Sequence, residues 1–191
     1  NGGSGRFQRD TTALPSMLAA TAAIATGDFD ADGKTDLFVG GRLTPRNYPY
    51  PTRSFILRNE GGRFTDVTEQ MAPELITPGG MVAAAVWIDF DSDGRLDLIT
   101  AGDWAPLQFF KNEGNRFRNV TESMGIGPTR GRWFSLAAGD FNHDGHPDLV
   151  AGNLGLNLYP TAPGNHFGLV AGDFTGVRRT DLIFTQEIAG R

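Results

Sequence analysis

A ten-residue acidic pattern recurs along this chain and limits what the chain can fold into. It occurs as DFDADGKTDL, DFDSDGRLDL and DFNHDGHPDL, and a degraded fourth copy reads DFTGVRRTDL. The copies begin at Asp28, Asp89, Asp140 and Asp173. Repeats of this kind are typical of folds that use one supersecondary unit several times.

Each intact copy has an acid or amide at its first, third, fifth and ninth positions and glycine at its sixth. Like charges this close repel one another, and a cation among them removes the repulsion. Calcium accepts about six to eight oxygen ligands in flexible geometry, whereas magnesium requires a stricter octahedron and retains its waters. The pattern therefore predicts calcium loops, in which the backbone carbonyl of the seventh residue is a further ligand.

We predict about three calcium ions, one for each intact loop. The predicted ligands are Asp28, Asp30, Asp32, Lys34 (carbonyl) and Asp36 in loop 1, Asp89, Asp91, Asp93, Arg95 (carbonyl) and Asp97 in loop 2, and Asp140, Asn142, Asp144, His146 (carbonyl) and Asp148 in loop 3. Loop 3 is expected to bind more weakly because it has an amide in place of one carboxylate. Loop 4 runs from Asp173 to Asp181 and is predicted to be empty, with an arginine neutralising its two aspartates.

The EF-hand is the main alternative, because its loop also begins with alternating oxygen ligands and has glycine at position six. An EF-hand needs a glutamate at position twelve and a helix on each side. Position twelve here is Val39, Thr100 or Ala151, and each loop is followed by a short apolar run that ends at or near glycine. Such runs indicate buried strands, so each loop is predicted to join two strands.

A second repeat lies between the loops and supplies two more strands to each unit. Residues 58–71 read RNEGGRFTDVTEQM, and residues 111–124 read KNEGNRFRNVTESM. An Asn-Glu-Gly turn between alternating residues predicts a hairpin. The predicted strands are 20–27, 35–41, 53–59 and 63–68 in the first unit and 81–88, 96–102, 107–112 and 116–121 in the second.

Four-stranded units in tandem predict an all-β fold of β-propeller blades, with four antiparallel strands in each blade and the calcium loop between the first two. We interpret 1–191 as a single propeller region. Its predicted parts are the outer strand of a partial blade at 1–15, blades at 16–72 and 73–125, a shortened blade at 126–167 and a partial blade at 168–191. Two explanations stay open: a fragment of a larger propeller, or a small ring of about four blades.

The loops and the F-x-D/N-V-T strands resemble those of VCBS/FG-GAP repeat proteins. The runs DLFVGGRLTPRNYPYPTRSFILRNEGGRFTDVT and AGNLGLN are similar to the bacterial branch associated with ASPIC/UnbV domains, which is related to cartilage acidic protein. In that family the repeats form calcium-bearing β-propellers of large secreted or surface proteins. The resemblance implies the ligands named above and an extracellular, cell-surface or periplasmic location.

The net charge of −5 is concentrated in the loops. The three intact loops hold 11 of the 22 acidic residues, and 17 basic minus 11 remaining acidic residues leaves the rest of the chain at about +6. This distribution predicts no nucleic-acid partner. No apolar run of about 18 residues occurs, so no membrane insertion is predicted. The absence of cysteine excludes disulfides and thiolate zinc sites.

The sequence predicts no catalytic site. His143, His146 and His166 are too scattered for a zinc site or a catalytic triad. An enzyme that works at the propeller face remains the third hypothesis, and it would need a basic or acidic cluster converging on that face.

Aromatic residues fall into two groups. Those in predicted strands are expected to pack in the core: Trp87, Trp133 and Phe134. Connections on one propeller face often carry recognition, and they supply the candidate contact surface for a sugar or a protein: Arg42, Arg46, Tyr48, Tyr50 and Trp104.

The leading hypothesis is a non-catalytic, calcium-stabilised binding or adhesion module of an exported protein, with a protein or glycan as its ligand. The alternative is a lectin-like carbohydrate-binding propeller or an accessory domain of a polysaccharide-processing enzyme.

Overall fold

A computed structural model describes residues 3–77, 79–127, 129, 131–154, 167–177 and 180–186. The described residues form an all-β structure, as predicted, with one helical turn and one 3-10 turn between the first two sheets. The elements are β1 (Ala20–Gly27), β2 (Asp36–Leu43), β3 (Phe55–Asn59), β4 (Phe64–Asp66), α1 (Thr68–Met71), the 3-10 turn (Pro73–Leu75), β5 (Met81–Ile88), β6 (Asp97–Ala105), β7 (Gln108–Asn112), β8 (Phe117–Asn119), β9 (Gly131–Gly139), β10 (Asp148–Asn153), β11 (Phe167–Gly172) and β12 (Asp181–Gln186).

Two units have the predicted four antiparallel strands. In the first, β1, β2, β3 and β4 pair in chain order, and in the second β5, β6, β7 and β8 do the same. The predicted strand boundaries agree with the observed ones to within three residues. The agreement follows from local chemistry, because apolar strand residues and Asn-Glu-Gly turns define each hairpin without help from distant contacts.

The second half of the chain departs from this regularity. β9 and β10 form an antiparallel pair, and β9 also pairs with the far end of β6, where Asp103 lies opposite Arg132. β11 and β12 form a separate pair. The predicted outer part of the shortened third unit falls mostly on residues 155–166, which lie outside the described residues.

The segment before β1 contains no strand between residues 3 and 19, although the sequence suggests an outer strand at 1–15. A backbone hydrogen bond joins this segment to the first sheet, from the Phe64 N–H to the Ala13 carbonyl at 2.8 Å. Phe7, the residue that aligns with the outer-strand phenylalanines, is 86% exposed. Met17 and Ala19, just before β1, pack partly buried against the Val39–Phe55–Leu57 cluster. Residues 3–15 have no fully buried apolar side chain, so this part has no apolar face with which to dock as a strand.

The core that joins the first two sheets is built around Trp87. Its ring stacks on Phe29 at 5.9 Å between centroids and meets Phe38 edge-on at 6.5 Å. Its indole N–H donates to the Ala25 carbonyl at 3.2 Å. A Cβ on Gly27 would lie 2.9 Å from this ring, so the strand needs glycine there. The prediction that Trp87 is a core residue is confirmed.

The other two aromatic residues predicted to lie in the core, Trp133 and Phe134, differ in burial. Trp133 is partly buried and packs against the second cluster, around Ile99 and Phe109. Phe134 is 42% exposed, so its assignment to the core is wrong. The two side chains alternate across β9, and only one of them faces the neighbouring sheet.

Two glycines at equivalent positions set the spacing between strands. A Cβ on Gly41 would lie 2.0 Å from the Arg53 carbonyl oxygen, and one on Gly102 would lie 2.1 Å from the Met81 carbonyl oxygen. Each glycine pairs beside a register shift in the neighbouring strand. The neighbour of Gly41 is the segment just before β3, and the neighbour of Gly102 is β5; each backbone can approach this closely only because glycine has no side chain.

We predict that Gly102→Ala destabilises the protein by about 1–3 kcal/mol, because the new methyl group forces the β5 backbone away from β6. Urea unfolding followed by tryptophan fluorescence measures this change. Gly127→Ala is the matched control, since a Cβ there would meet only ordinary contacts at 3.5 Å and beyond. Equal stability of the two variants would contradict the strand-spacing role.

The described helical segments are single turns, far shorter than a bilayer-spanning helix.

Candidate metal centre

Three loops with the same hydrogen-bond pattern join β1 to β2, β5 to β6 and β9 to β10. The first carboxylate accepts from the backbone N–H groups of the fifth and sixth residues. In loop 1, Asp28 accepts from Asp32 at 3.0 Å and from Gly33 at 2.8 Å. The same pair of bonds occurs at 3.0 and 2.8 Å in loop 2 and at 3.1 and 2.9 Å in loop 3. The repeated pattern therefore specifies one repeated loop structure.

The backbone of these loops curls through the left-handed region twice. The fourth residue has φ of 58°, 60° and 62° at Ala31, Ser92 and His143. The glycine at position six has φ of 84° or 85° in each loop. This conformation costs a non-glycine residue about 1–2 kcal/mol. The loops therefore adopt a backbone conformation that their fourth residue disfavours.

The ninth aspartate is the innermost acid of loops 1 and 2. Asp36 and Asp97 are both fully buried. One oxygen of Asp36 accepts from the Phe29 N–H at 3.1 Å and the other accepts from the Asn59 N–H at 2.8 Å. In loop 2, Asp97 accepts from Phe90 at 3.2 Å and from Asn112 at 2.7 Å. Each ninth aspartate therefore ties its loop to the hairpin of the same sheet.

The two hairpin asparagines are positioning residues that the sequence analysis did not identify. The Asn112 amide donates to the Leu96 carbonyl at 3.0 Å and, across to loop 1, to the Phe29 carbonyl at 2.8 Å. The Asn59 amide donates to the Thr35 carbonyl at 2.9 Å. The signal was present in the repeated Asn-Glu-Gly turn, but it was interpreted as turn chemistry alone.

Two acidic triads converge within these loops. Carboxylate oxygens of Asp28, Asp30 and Asp36 all lie within 4.8 Å of one another, as do those of Asp89, Asp91 and Asp97. Calcium–oxygen distances of about 2.3–2.6 Å allow two ligand oxygens to be up to about 5 Å apart. In loop 1, the buried Asp30 Oδ1 has no hydrogen-bond partner. The geometry and this unsatisfied oxygen fit a divalent cation.

The fifth-position acids lie outside these triads. Asp32 contacts the Lys34 ammonium at 2.5 Å. Asp93 pairs with the Arg95 guanidinium and lies 3.3 Å from the Lys111 ammonium. The backbone N–H groups of Lys34 and Arg95 donate to the same two acids, at 2.8 and 3.1 Å. These side-chain pairings draw the fifth acid away from the other three.

Basic side chains from the third strand of each sheet approach the third-position acids. Arg58 Nε lies 2.8 Å from Asp30, and Lys111 pairs with Asp91. The two bases occupy equivalent positions before the Asn-Glu-Gly turn. They were not identified from the sequence, because a base at a strand end normally faces solvent.

Loop 3 is more open than loops 1 and 2. Asp140, Asn142 and Asp144 are exposed, and the Asn142 amide donates to Asp144 at 2.9 Å. Asp148 accepts from the Phe141 N–H at 3.0 Å. His146 donates its backbone N–H to Asp144 at 2.8 Å. Among the described residues, the acids of loop 3 do not form a triad like those of loops 1 and 2.

Loop 4 retains part of the same frame. Asp173 accepts from the Val177 N–H at 3.1 Å, and Asp181 accepts from the Phe174 N–H at 3.0 Å. The Thr175 hydroxyl donates to Asp181 at 2.9 Å. The arginines expected to neutralise these acids, at 178 and 179, lie outside the described residues.

The pKa shifts of the ninth and the fifth loop acids have opposite directions in loops 1 and 2. Burial, reinforced by the nearby acids, raises the pKa of Asp97 from 3.8 to about 6 and also raises the pKa of Asp36. Hydrogen bonds from Lys34 lower the pKa of Asp32. Burial opposes the shift at Asp93, but hydrogen bonds from Arg95 and Lys111 lower its pKa overall. The ninth acid is therefore the carboxylate that most needs a cation.

We predict that the metal-free protein loses stability as pH rises through Asp97 titration. Its folded pKa of about 6 lies above the ordinary 3.8, so the unfolded chain releases the proton first as pH rises. The contribution of Asp97 to the free energy of unfolding then falls between about pH 4 and 6 and is fully present below that window. Urea unfolding in calcium-free buffer measures the slope, which should be smaller in Asp97→Asn. An unchanged slope in the variant would argue against this assignment.

Comparison with known proteins shows a similarity over about a third of the chain. Residues 89–151 match the family model of the FG-GAP-like repeat. The matched segment begins at the first ligand position of loop 2 and ends in β10, just after loop 3, so it contains both of these loops. A search of curated proteins found no significant match. The similarity is to an FG-GAP-like repeat and is confined to residues 89–151.

Proposed function

We propose that this chain is a calcium-stabilised β-propeller module that binds a protein or glycan, has no catalytic role and belongs to an exported protein. The observation that carries the proposal is the pair of acidic triads in loops 1 and 2, each with a fully buried ninth aspartate. A buried carboxylate must be paired or must coordinate a metal. The proposal assigns that role to calcium.

Calcium fits the donor set better than magnesium or zinc. The converging groups are carboxylate oxygens, which are the ligands of hard cations. Zinc sites use cysteine or histidine, and loops 1 and 2 contain neither. The loops lack the bidentate glutamate of high-affinity EF-hands. Extracellular calcium modules work at about 10⁻⁴–10⁻³ M, so weak sites of this kind suit an exported protein.

The propeller assignment rests on how the sheets follow one another. Two four-stranded antiparallel sheets of the same strand order pack against each other around Trp87. The second sheet continues into β9 of the next unit. Tandem sheets packed in this way, together with the FG-GAP-like match, favour blades arranged around an axis.

Binding is favoured over catalysis by the placement of the reactive side chains. The described histidines, His143 and His146, both lie in the exposed loop 3, away from the buried acids. In contrast, Tyr48 and Trp104 meet at the opposite ends of the strands, at 3.4 Å between the indole nitrogen and the phenol oxygen. This aromatic pair favours a glycan ligand as the second candidate function.

We predict that removing calcium lowers the melting temperature and that excess calcium restores it. Each site contributes about 2.7 kcal/mol when calcium is at a hundred times its Kd. Differential scanning fluorimetry in EDTA and in millimolar calcium measures the shift. Asp28→Asn/Asp36→Asn should remove one site's share of the shift, whereas the control pair in loop 4, Asp173→Asn/Asp181→Asn, should leave it intact. A melting temperature indifferent to calcium would refute the proposal.

We predict that Lys111→Met strengthens calcium binding to loop 2 about two- to five-fold. The ammonium competes with the metal for Asp91 and Asp93, and an ion pair of this exposure contributes up to about 1 kcal/mol. Calorimetric titration with calcium measures the affinity. Arg118→Met is the control, because Arg118 pairs with Glu113 rather than with a loop acid. Weaker binding in Lys111→Met would show that the lysine supports the site instead of competing for it.

A further inference from the structure

A buried acid with two arginines lies at the ends of the strands far from the metal loops. The Asp103 side chain is fully buried, with Arg42 Nη2 at 3.0 Å from one oxygen and Arg132 Nε at 3.2 Å from the other. The three residues come from β2, β6 and β9, which belong to three successive units. Asp103 follows Asp97 by six residues along β6, so about 20 Å separates this cluster from loop 2.

The cluster carries one more positive charge than the buried acid requires. One guanidinium balances Asp103, and the second is in excess. The Arg42 and Arg132 side chains are 32% and 25% exposed, so both reach solvent from fixed positions. A guanidinium has five N–H donors in a planar fork that matches a carboxylate. The cluster is therefore a positioned set of anion donors at the surface.

Aromatic rings surround these donors. The Arg132 guanidinium lies 5.5 Å from the centre of the Trp104 ring and 5.6 Å from that of Phe134. The Trp104 indole N–H points to the Tyr48 hydroxyl at 3.4 Å. These contacts fix a partly buried indole beside the exposed arginines.

Trp104 is held in a conformation that a bulky residue rarely adopts. Its φ is +64°, in the left-handed region. A side chain there costs about 1–2 kcal/mol relative to glycine. Local strain of this kind concentrates at ligand-binding positions. Trp104 therefore occupies a position where glycine or asparagine would adopt the backbone conformation with less strain.

We propose that Arg42, Arg132 and Trp104 form a binding site for a hexuronate residue of an acidic polysaccharide. The arginines receive the carboxylate, and the indole packs against the sugar ring. This inference rests on the proposed binding function and names its ligand class. A nucleic acid is a poorer candidate, because the patch is small and the whole chain has a net charge of −5.

The test is calorimetric titration of the full chain in millimolar calcium with a hexuronate tetrasaccharide. Its fully methyl-esterified form keeps the rings but removes the charge, and sulfated dextran supplies a different anion. We expect the acid form to bind at least about ten-fold more tightly than the ester, since charge-assisted bonds of about 1.4 kcal/mol or more are lost. Equal affinity for the ester, or binding to sulfated dextran alone, would overturn the hexuronate assignment.

Three variants separate recognition from structure. Arg42→Met should weaken tetrasaccharide binding about ten-fold or more, while Arg132 still neutralises Asp103. Trp104→Gly should weaken binding to a similar degree without lowering the melting temperature by more than a few degrees, because glycine accepts the left-handed conformation. Asp103→Asn should retain or strengthen binding if it folds, since the competing carboxylate is removed.

The control is Arg53→Met. Arg53 pairs with Asp66 at 2.9 Å, outside the cluster. Its substitution should therefore leave the affinity for the tetrasaccharide unchanged. Wild-type affinity in both Arg42→Met and Trp104→Gly would overturn the inference. The calcium-dependent melting shift is measured on the same preparations. A protein that keeps this shift but does not bind the tetrasaccharide rejects only the hexuronate site, whereas loss of the shift rejects the calcium-stabilised module.

Discussion

The burial of the ninth loop aspartate is the constraint on which this structure depends. Asp36 and Asp97 are withdrawn from water and hold two N–H donors each, one from their own loop and one from the adjoining hairpin. Two neutral donors do not replace the hydration of a full negative charge. Either a proton or a cation must complete the site. The choice between them would couple the geometry of loop and hairpin to pH and, under the proposed function, to calcium.

β6 shows two ways of burying a carboxylate within one strand. Asp103, at one end, is neutralised by arginines from the neighbouring units, so its charge is balanced permanently by the protein. Asp97, at the other end, has only amide donors and nearby acids. The first arrangement links successive sheets whether or not an ion is present. The second makes the order of the loop end conditional on a ligand.

The parts of this structure that the sequence predicted are those fixed by local chemistry. Turn glycines and alternating strands define the hairpins, and the spacing of acids defines the loops. The sequence predicts Arg42, Tyr48 and Trp104 in connections between strands, but Arg42 and Trp104 lie in the last residues of β2 and β6, which extend further than predicted. Their partners Asp103 and Arg132 were missed, since only the pairing of β6 with β9 brings them together. Contacts between units depend on register, which a single sequence does not reveal.

Arg58 and Lys111 give the metal loops a stable starting state. Each base comes from the third strand and pairs with the third loop acid, so part of the acidic charge is neutralised before any ion arrives. These pairs also hold the hairpin against the loop, alongside the bonds from Asn59 and Asn112 to the ninth aspartate. Under the proposed function, an incoming cation would meet carboxylates that are already close together, so little free energy would be spent on ordering them. The two bases would lower the affinity by competing for the acids, and in return the loop would be organised before binding.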